Sequence, residues 1–420
     1  MHKLILALLV FTSIDLYGKN IIEVVPKRTS DLPKKILVET KNSYIVRAKN
    51  ASNADFDRLF WVNLDGVNLD EAQLDADILL FRKGEFAVVK ADEDQVTELS
   101  QKLHHLAAAC GHLIRLSGDE VSTQREFSFA PSALISSSTV IDLKDVLASM
   151  KSSDIREGVE LLSSFRTRHH TTSEGAEASY EVKRMFETIV ASRSDISVEL
   201  VDHGQETEQM SVVVKIKGRK FPDELVLLGS HLDSISGWWG GSEAPGADDN
   251  ASGTATNMTV LKAIVENNLY FDRTIEIHAY AAEEVGLVGS LDMAKKYKAR
   301  NADVVSMLQN DMNLYPAMGE DGIWIVTNDT DASLNADLIK FIDRYVGIKW
   351  EQGRLQGGSS DHAAWHRQGY KAAFPFEHGS SYNPDIHTKR DVISSKLSFS
   401  QSLGFGKLSL SYLAHYAGIN

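Results

Sequence analysis

Cysteine is almost missing from this chain: Cys110 stands alone among 420 residues. No disulfide can form within the chain, which leaves export open, since proteins of this size do not depend on disulfides. Cys110 falls in the apolar part of a helical pattern and reads as a small buried hydrophobe rather than a nucleophile. Positive charge is also scarce. Lys and Arg number 44 against 58 Asp and Glu, a net charge of −14, with no basic patch. Nucleic acid is therefore excluded as a partner, because that affinity comes largely from Lys and Arg facing phosphates. Beyond the first residues no apolar run approaches the ~20 residues of a membrane span. There is no internal repeat, no low-complexity tract and no G-x-S-x-G elbow, which removes the common serine-hydrolase design.

What is present is an ordinary globular composition, 43% hydrophobic and 24% charged, long enough for two domains. The opening MHKLILALLVFTSIDLYG has one Lys and then an apolar core from Leu4 to Phe11. That is the shape of a secretory signal peptide. Residues 1–18 are expected to be removed on export, leaving a secreted protein with no membrane attachment. Residues 19–116 read as a small α/β unit. Strands are expected at Tyr44–Ala48, Ile78–Arg82, Phe86–Val89 and His112–Leu116, with a helix at Asp92–Ala109. The adjacent His104 and His105 point to different helix faces and read as solvated. Residues 117–139 are Ser-rich and aperiodic, a linker. A small unit before an exposed linker in an exported enzyme implies a propeptide that covers the site until proteolysis removes it.

Residues 140–420 alternate helix and strand. This pattern predicts an α/β domain with a mixed, mostly parallel, doubly wound central sheet flanked by helices. Helices are expected at Leu143–Phe165, Ala176–Ala191, Val288–Lys298, Leu334–Val346 and Leu397–Ala417. Strands are expected at Ser211–Ile216, Glu224–Gly229, Thr274–Tyr280, Val304–Leu308, Ile323–Val326 and Ala372–Phe376.

The chemistry lies at the ends of those strands. His231 and Asp233 follow one apolar run, and a loop then leads to Asp248 and Asp249 at a helix start. Glu283 and Glu284 follow the next strand, Asp311 another, and His387 lies in the loop beyond Ala372–Phe376. Sites in open α/β sheets form outside the carboxyl ends of the strands. Two zinc ions close together need imidazole and carboxylate ligands, one bridging carboxylate and an open position for water. His231, His387, Asp249, Glu284 and Asp311 supply that set. Asp233 is spaced to take the other N–H of His231 and orient it. Glu283, beside a ligand but outside the set, is placed to accept a proton from an activated water.

HLDS, APGADDNASG, AYAAEEVGLVGS, the Asp of LQNDMN, SSDHAAWH and YNPDIHT occur in an order that resembles the secreted bacterial leucyl aminopeptidases. These are co-catalytic di-zinc peptidases with a phosphorylase/hydrolase-like fold, and the likeness runs from about Val140 to the C-terminus. The resemblance implies two zinc ions per chain held by His231, Asp249, Glu284, Asp311 and His387, with Glu283 as base and peptides with a free N-terminus as substrates. It makes Asp249, four residues before the Gly of ASG, the bridge in preference to Asp248. It also implies a preference for leucine-like side chains.

There are departures. Where many relatives carry a Cys pair around a Tyr, this chain reads Leu355-Gln356-Gly357-Gly358-Ser359, so help to the oxyanion is expected from Ser360 or backbone N–H groups. The Glu377–Ser381 loop is short and polar. Asp361 and His362 read as structural support, and His169 and His170 as surface residues at a helix start. Trp238 and Trp239 are equally consistent with packing and with a substrate rim. Asn50, Asn250 and Asn257 head glycosylation-like triplets, of which Asn250 and Asn257 are discounted because they lie at the site or on its helix. A glutaminyl cyclase with one zinc is disfavoured by the complete ligand set. A carboxypeptidase would have only Arg354, Arg367 and scattered Lys for a substrate carboxylate. A catalytically dead binding ectodomain would have lost ligands.

Overall fold

The computed structural model describes residues 142–236, 242–355 and 359–419 continuously. Before them it describes 12–16, 19–26, 36–39, 43–48, 51, 56, 58–64, 77–83, 86–92, 95–96, 99, 102–103 and 113–116. The linker 117–139, Cys110, His104, His105, Trp238, Trp239 and the apolar stretch Leu4–Phe11 lie outside the described residues.

The N-terminal part contains two antiparallel four-stranded sheets. The first joins β1 (Thr12–Leu16), β2 (Lys19–Pro26), β3 (Ile36–Glu39) and β4 (Ser43–Arg47) in the order β1-β2-β4-β3. The second joins β5 (Leu59–Asn63), β6 (Leu79–Lys83), β7 (Phe86–Lys90) and β8 (Leu113–Arg115) in the order β6-β7-β5-β8. Thr12–Leu16, inside the stretch read as a leader, is thus paired with Lys19–Pro26.

The rest is an α/β sandwich. Helices α1 (Leu143–Ser149), α2 (Ser152–Leu162) and α3 (Ser173–Val190) come first, then β9 (Ile196–Val201), β10 (Ser211–Ile216) and β11 (Phe221–His231). Next come α4 (Gly253–Glu266), β12 (Arg273–Tyr280), α5 (Val288–Ala299), β13 (Asp303–Gln309) and β14 (Gly322–Val326). The chain closes with α6 (Ala332–Phe341), β15 (Lys349–Gly353), α7 (His362–Arg367), β16 (Ala372–Ala373), β17 (Pro375–Phe376) and α8 (Phe399–Leu413). The central sheet runs β16-β13-β11-β12-β10-β9; β16, β13, β11 and β12 are parallel, and β10 and β9 form an antiparallel edge. This is the expected mixed, mostly parallel sheet.

Burial explains why β11 is central. Val226 and Leu228 enter the apolar cluster that contains Ile275, Ile277 and Leu408, whereas Leu225 and Leu227 enter the opposite one with Met307 and Trp365. A strand covered on both faces reads as a continuous apolar run. Each such side chain contributes ~1.5–3 kcal/mol on full burial.

Two expected elements are divided. The run Leu143–Phe165 breaks between α1 and α2, where Met150 takes extended backbone and buries its side chain. The run Ala372–Phe376 serves two sheets: β16 pairs with β13, and β17 pairs with β14 in a small sheet with β15. Pro375, which lacks an N–H, sits in that short edge strand. Among the described residues no helix is long and apolar enough to cross a membrane.

One buried polar group on β12 makes a stability prediction. Glu276 has Tyr297 Oη at 2.5 Å, Lys215 Nζ at 3.1 Å and His278 Nε2 at 3.3 Å. Burial alone would raise its pKa, but His278, the Tyr297 hydroxyl and Lys215 together bring it down to about 2. A depressed carboxyl stabilises the fold above its unfolded value near 4.5, and that contribution is lost as pH falls towards 2. The amount is about 3 kcal/mol. Glu276→Gln should therefore flatten the fall in Tm between pH 5 and pH 3 relative to the parent chain, as read by circular dichroism. Equal acid sensitivity in both proteins would rule this out.

Candidate metal centre

Strand register brings the ligand-type residues level. His231 pairs with Tyr280 across β11 and β12, and Gly229 pairs with Gln309 across β11 and β13. The residues just past these pairs, Asp233, Glu283, Glu284 and Asp311, therefore leave the sheet along one edge. Asp249 enters from the turn before α4, and His387 from the loop after β17. All are buried. Non-glycine residues with left-handed backbone lie at three of these exits: Ala282 (φ 52°), Met312 (φ 55°) and His387 itself (φ 52°). Such conformations cost of order 1–3 kcal/mol each and persist where surrounding structure imposes them.

The side chains converge in two groups that share one carboxylate: His231, Asp249 and Asp311, and Asp249, Glu284 and His387, with donor atoms in each group within 4.8 Å of one another. His231 Nε2 lies 3.2 Å from Asp249 Oδ1 and 3.2 Å from Asp311 Oδ1. His387 Nε2 lies 2.7 Å from Asp249 Oδ2 and 3.0 Å from Glu284 Oε2. Tetrahedral arms of about 2.0–2.1 Å set neighbouring donors ~3.3 Å apart, so these separations suit two ions with Asp249 between them. The donor chemistry fits as well: imidazoles and carboxylates gathered in a buried space suit a divalent cation. Asp248 is turned away, its Oδ1 receiving Leu314 N and its Oδ2 receiving Asn383 Nδ2.

Glu283 belongs to neither group. Its Oε1 is buried with no hydrogen-bond partner among the described residues. Burial first, and the charges of Asp361, Asp311 and Asp233 next, push its pKa well above the usual carboxylate range against the pull of His231. Asp233 Oδ1 is 3.3 Å from His231 Nδ1. Its two oxygens also receive the amides of Glu283 and Glu284 at 3.0 and 3.1 Å.

Sequence reasoning missed several supports. Ala281 N donates to Ser211 Oγ (2.9 Å) and Ala282 N to Gln209 Oε1 (3.1 Å), so four successive amides of the acidic loop meet side-chain oxygens. Behind Ser211 stands His203, with Nε2 2.7 Å from Oγ and Nδ1 2.6 Å from Asp292. Arg168, fully buried, donates to the carbonyls of Leu232, Leu162, Pro245 and Gly246. Burial lowers its pKa to about 10 despite nearby carboxylates. Nothing in local periodicity marks these residues, because each acts through the backbone of a distant segment.

One expectation is corrected. His169 and His170 are buried at 2% exposure each, not on the surface. Their Nδ1 atoms face Thr171 and Thr207, His169 O accepts from the Thr172 hydroxyl ahead of α3, and both Nε2 atoms are buried without a hydrogen-bond partner among the described residues. Ser360, a candidate for help to the oxyanion, is fully buried, and its hydroxyl donates to Asp311 Oδ2 at 2.6 Å. Asp361 receives Gln309 Nε2 and His362 stacks near Phe374, in the interior as expected. Beside the ligand-type residues, Met312, Phe374, Phe376, Tyr382 and Ile386 form a separate apolar cluster.

A family model described as peptidase family M28 matches residues 211–410. A probable leucine aminopeptidase of Trichophyton verrucosum is 32% identical over 258 residues, covering 60% of this chain and 70% of that protein. A probable aminopeptidase of Saccharomyces cerevisiae is 29% identical over 348 residues, covering 80% and 88%. In fold, the chain resembles the crystal structure of the LapA aminopeptidase of Legionella pneumophila, with a TM-score of 0.72 at 24% identity, over 86% of this chain and 98% of that one.

Proposed function

Since this chain belongs to peptidase family M28 and is a metallo-aminopeptidase by that membership, we propose that it releases apolar N-terminal residues from peptides with two zinc ions. His231 and Asp311 would hold one ion, Glu284 and His387 the other, and Asp249 would bridge them. The observation that carries this reading is the single Asp249 carboxylate set between two imidazoles. Metal ions held there would supply the Lewis acidity that the hydrolysis needs. The proton is handled by Glu283, which takes it on its unpartnered Oε1 and returns it to the departing amine nitrogen. Asp233 keeps His231 in one orientation while its other oxygen holds the amide of Glu284.

The apolar cluster flanking Asp311 and His387 through Met312 and Ile386 supports a leucine-like side chain. Burying one contributes ~1.5–3 kcal/mol, a preference over glycine of roughly 10–100-fold. Leucyl p-nitroanilide should be cleaved by the zinc-loaded protein and N-acetyl-leucyl p-nitroanilide should not. Release of the C-terminal residue from an N-blocked dipeptide would instead make it a carboxypeptidase.

The same reading takes residues 19–116 as a propeptide on an exported precursor whose leader is 1–18. Support comes from Phe60, Val62 and Val89, which pack in one cluster with Ala282 and Val285 on either side of Glu283 and Glu284.

A further inference from the structure

The bridging position depends on how the Asp248–Asp249 dipeptide is held, and its backbone gives no help. Asp249 (φ −110°, ψ 94°) and Asn250 (φ −132°, ψ 50°) interrupt the helical turn Ala247–Ser252. Their neighbourhood is fully buried, so the amides that the broken turn leaves unpaired need partners from elsewhere. One residue provides three. Asp391 Oδ1 receives Asp248 N at 3.0 Å, its Oδ2 receives Asp249 N at 3.0 Å, and its backbone carbonyl receives Ala247 N at 3.0 Å. Asp391 is itself 2% exposed and belongs to neither group of ligand-type side chains.

The arrangement repeats that of Asp233, whose two oxygens hold the consecutive amides of Glu283 and Glu284. Each acidic dipeptide of the site is thus gripped through its backbone by a buried carboxylate, which leaves the Asp249 and Glu284 side chains free to converge with the imidazoles. Asp391 also lies four residues beyond His387, in a turn closed by Asp391 N donating to Thr388 O at 3.1 Å. One short segment therefore carries both a site imidazole and the clamp on the carboxylate that faces it. On the other side Arg168 holds Pro245 and Gly246, the residues leading into the clamped turn.

We propose that Asp391 is a positioning residue for the metal pair: by fixing the amides of residues 247–249 it sets the Asp249 carboxylate between His231 and His387. This rests on reading that cluster as a two-zinc site. A clamp of this kind acts on metal affinity before it acts on turnover, because outer partners of ligands typically account for 10–100-fold in affinity.

The test is zinc titration of metal-free protein against a chromophoric competing chelator, with Asp391→Asn, Asp391→Ala and, as a control, Arg390→Ala, whose exposed side chain pairs with Asp385. Asp391→Asn keeps the shape and one acceptor oxygen, so it should fold and bind zinc about 10–100-fold more weakly. Asp391→Ala should lose more, and Arg390→Ala nothing. The rise in Tm on adding zinc should shrink in the same order, and kcat of Asp391→Asn should recover at saturating zinc. A purely structural role would lower the Tm of metal-free and zinc-loaded forms equally and leave zinc affinity unchanged; that result overturns the proposal. A parent chain that takes up no zinc would instead overturn the two-zinc reading itself.

Discussion

Glu283→Gln is expected to lower kcat on leucyl p-nitroanilide by ~10²–10⁴-fold, the usual worth of a positioned general base, while zinc content and KM stay near those of the parent. The separation of effects follows from the geometry. Glu283 shares a loop with Glu284 but lies outside both groups of ligand-type atoms. Its amide is anchored by Asp233 whatever its side chain is. The amide of Gln occupies the same volume, so neither cavity nor clash is introduced, and only the capacity to hold a proton is lost. Burial holds its pKa above the usual carboxylate range, the direction that makes a carboxylate a stronger base. Turnover within a few-fold of the parent, at equal zinc occupancy, would remove Glu283 from that role.

The ligand-type set was legible in the sequence because α/β geometry links pattern to position. Apolar runs such as Leu225–Leu228 announce strands buried on both faces, and the polar residues that end them must emerge at the same sheet edge. Even the choice between Asp248 and Asp249, drawn from a resemblance, has a visible counterpart in the opposite directions of the two side chains. Other parts had no such signal. Strand β15 is polar and largely exposed, and edge strand β9 alternates Ile196, Val198 and Leu200 with exposed Ser197 and Glu199, so neither shows the continuous apolar run of the central strands. His169 and His170 look hydrophilic, and their burial follows from partners that no local window contains. The supports are further from sight still. Asp391 meets Asp248 and Asp249 across 143 and 142 residues, and Gln209 meets Ala282 across 73. Each contacts a backbone amide, a group that carries no residue identity.

Stripping the metal with a chelator should abolish hydrolysis and lower Tm at pH 7.5 by about 10 °C, with both restored by zinc. At ~1,000 times its Kd a ligand contributes about 4 kcal/mol, and each kcal/mol is worth ~2–4 °C in a domain of this size. The sign of the pH dependence is set by the buried acids. Burial and mutual repulsion push Glu284 well above the carboxylate range, and burial raises Asp248 to about 6 and Asp361 to about 7. For a group whose folded pKa is raised, stability is complete below its unfolded value near 4 and is lost as pH rises through the folded one. The metal-free protein should therefore weaken between about pH 4 and pH 7, as these carboxyls are forced to ionise beside one another. Zinc acts in the opposite direction, since its ligands must be deprotonated and its affinity rises as pH rises. The gap in Tm between loaded and stripped protein should consequently be wide at pH 7.5 and close towards pH 5. A gap that stays constant over that interval would mean that the buried acids are not the groups the metal neutralises, and the shared Asp249 would lose its role with them.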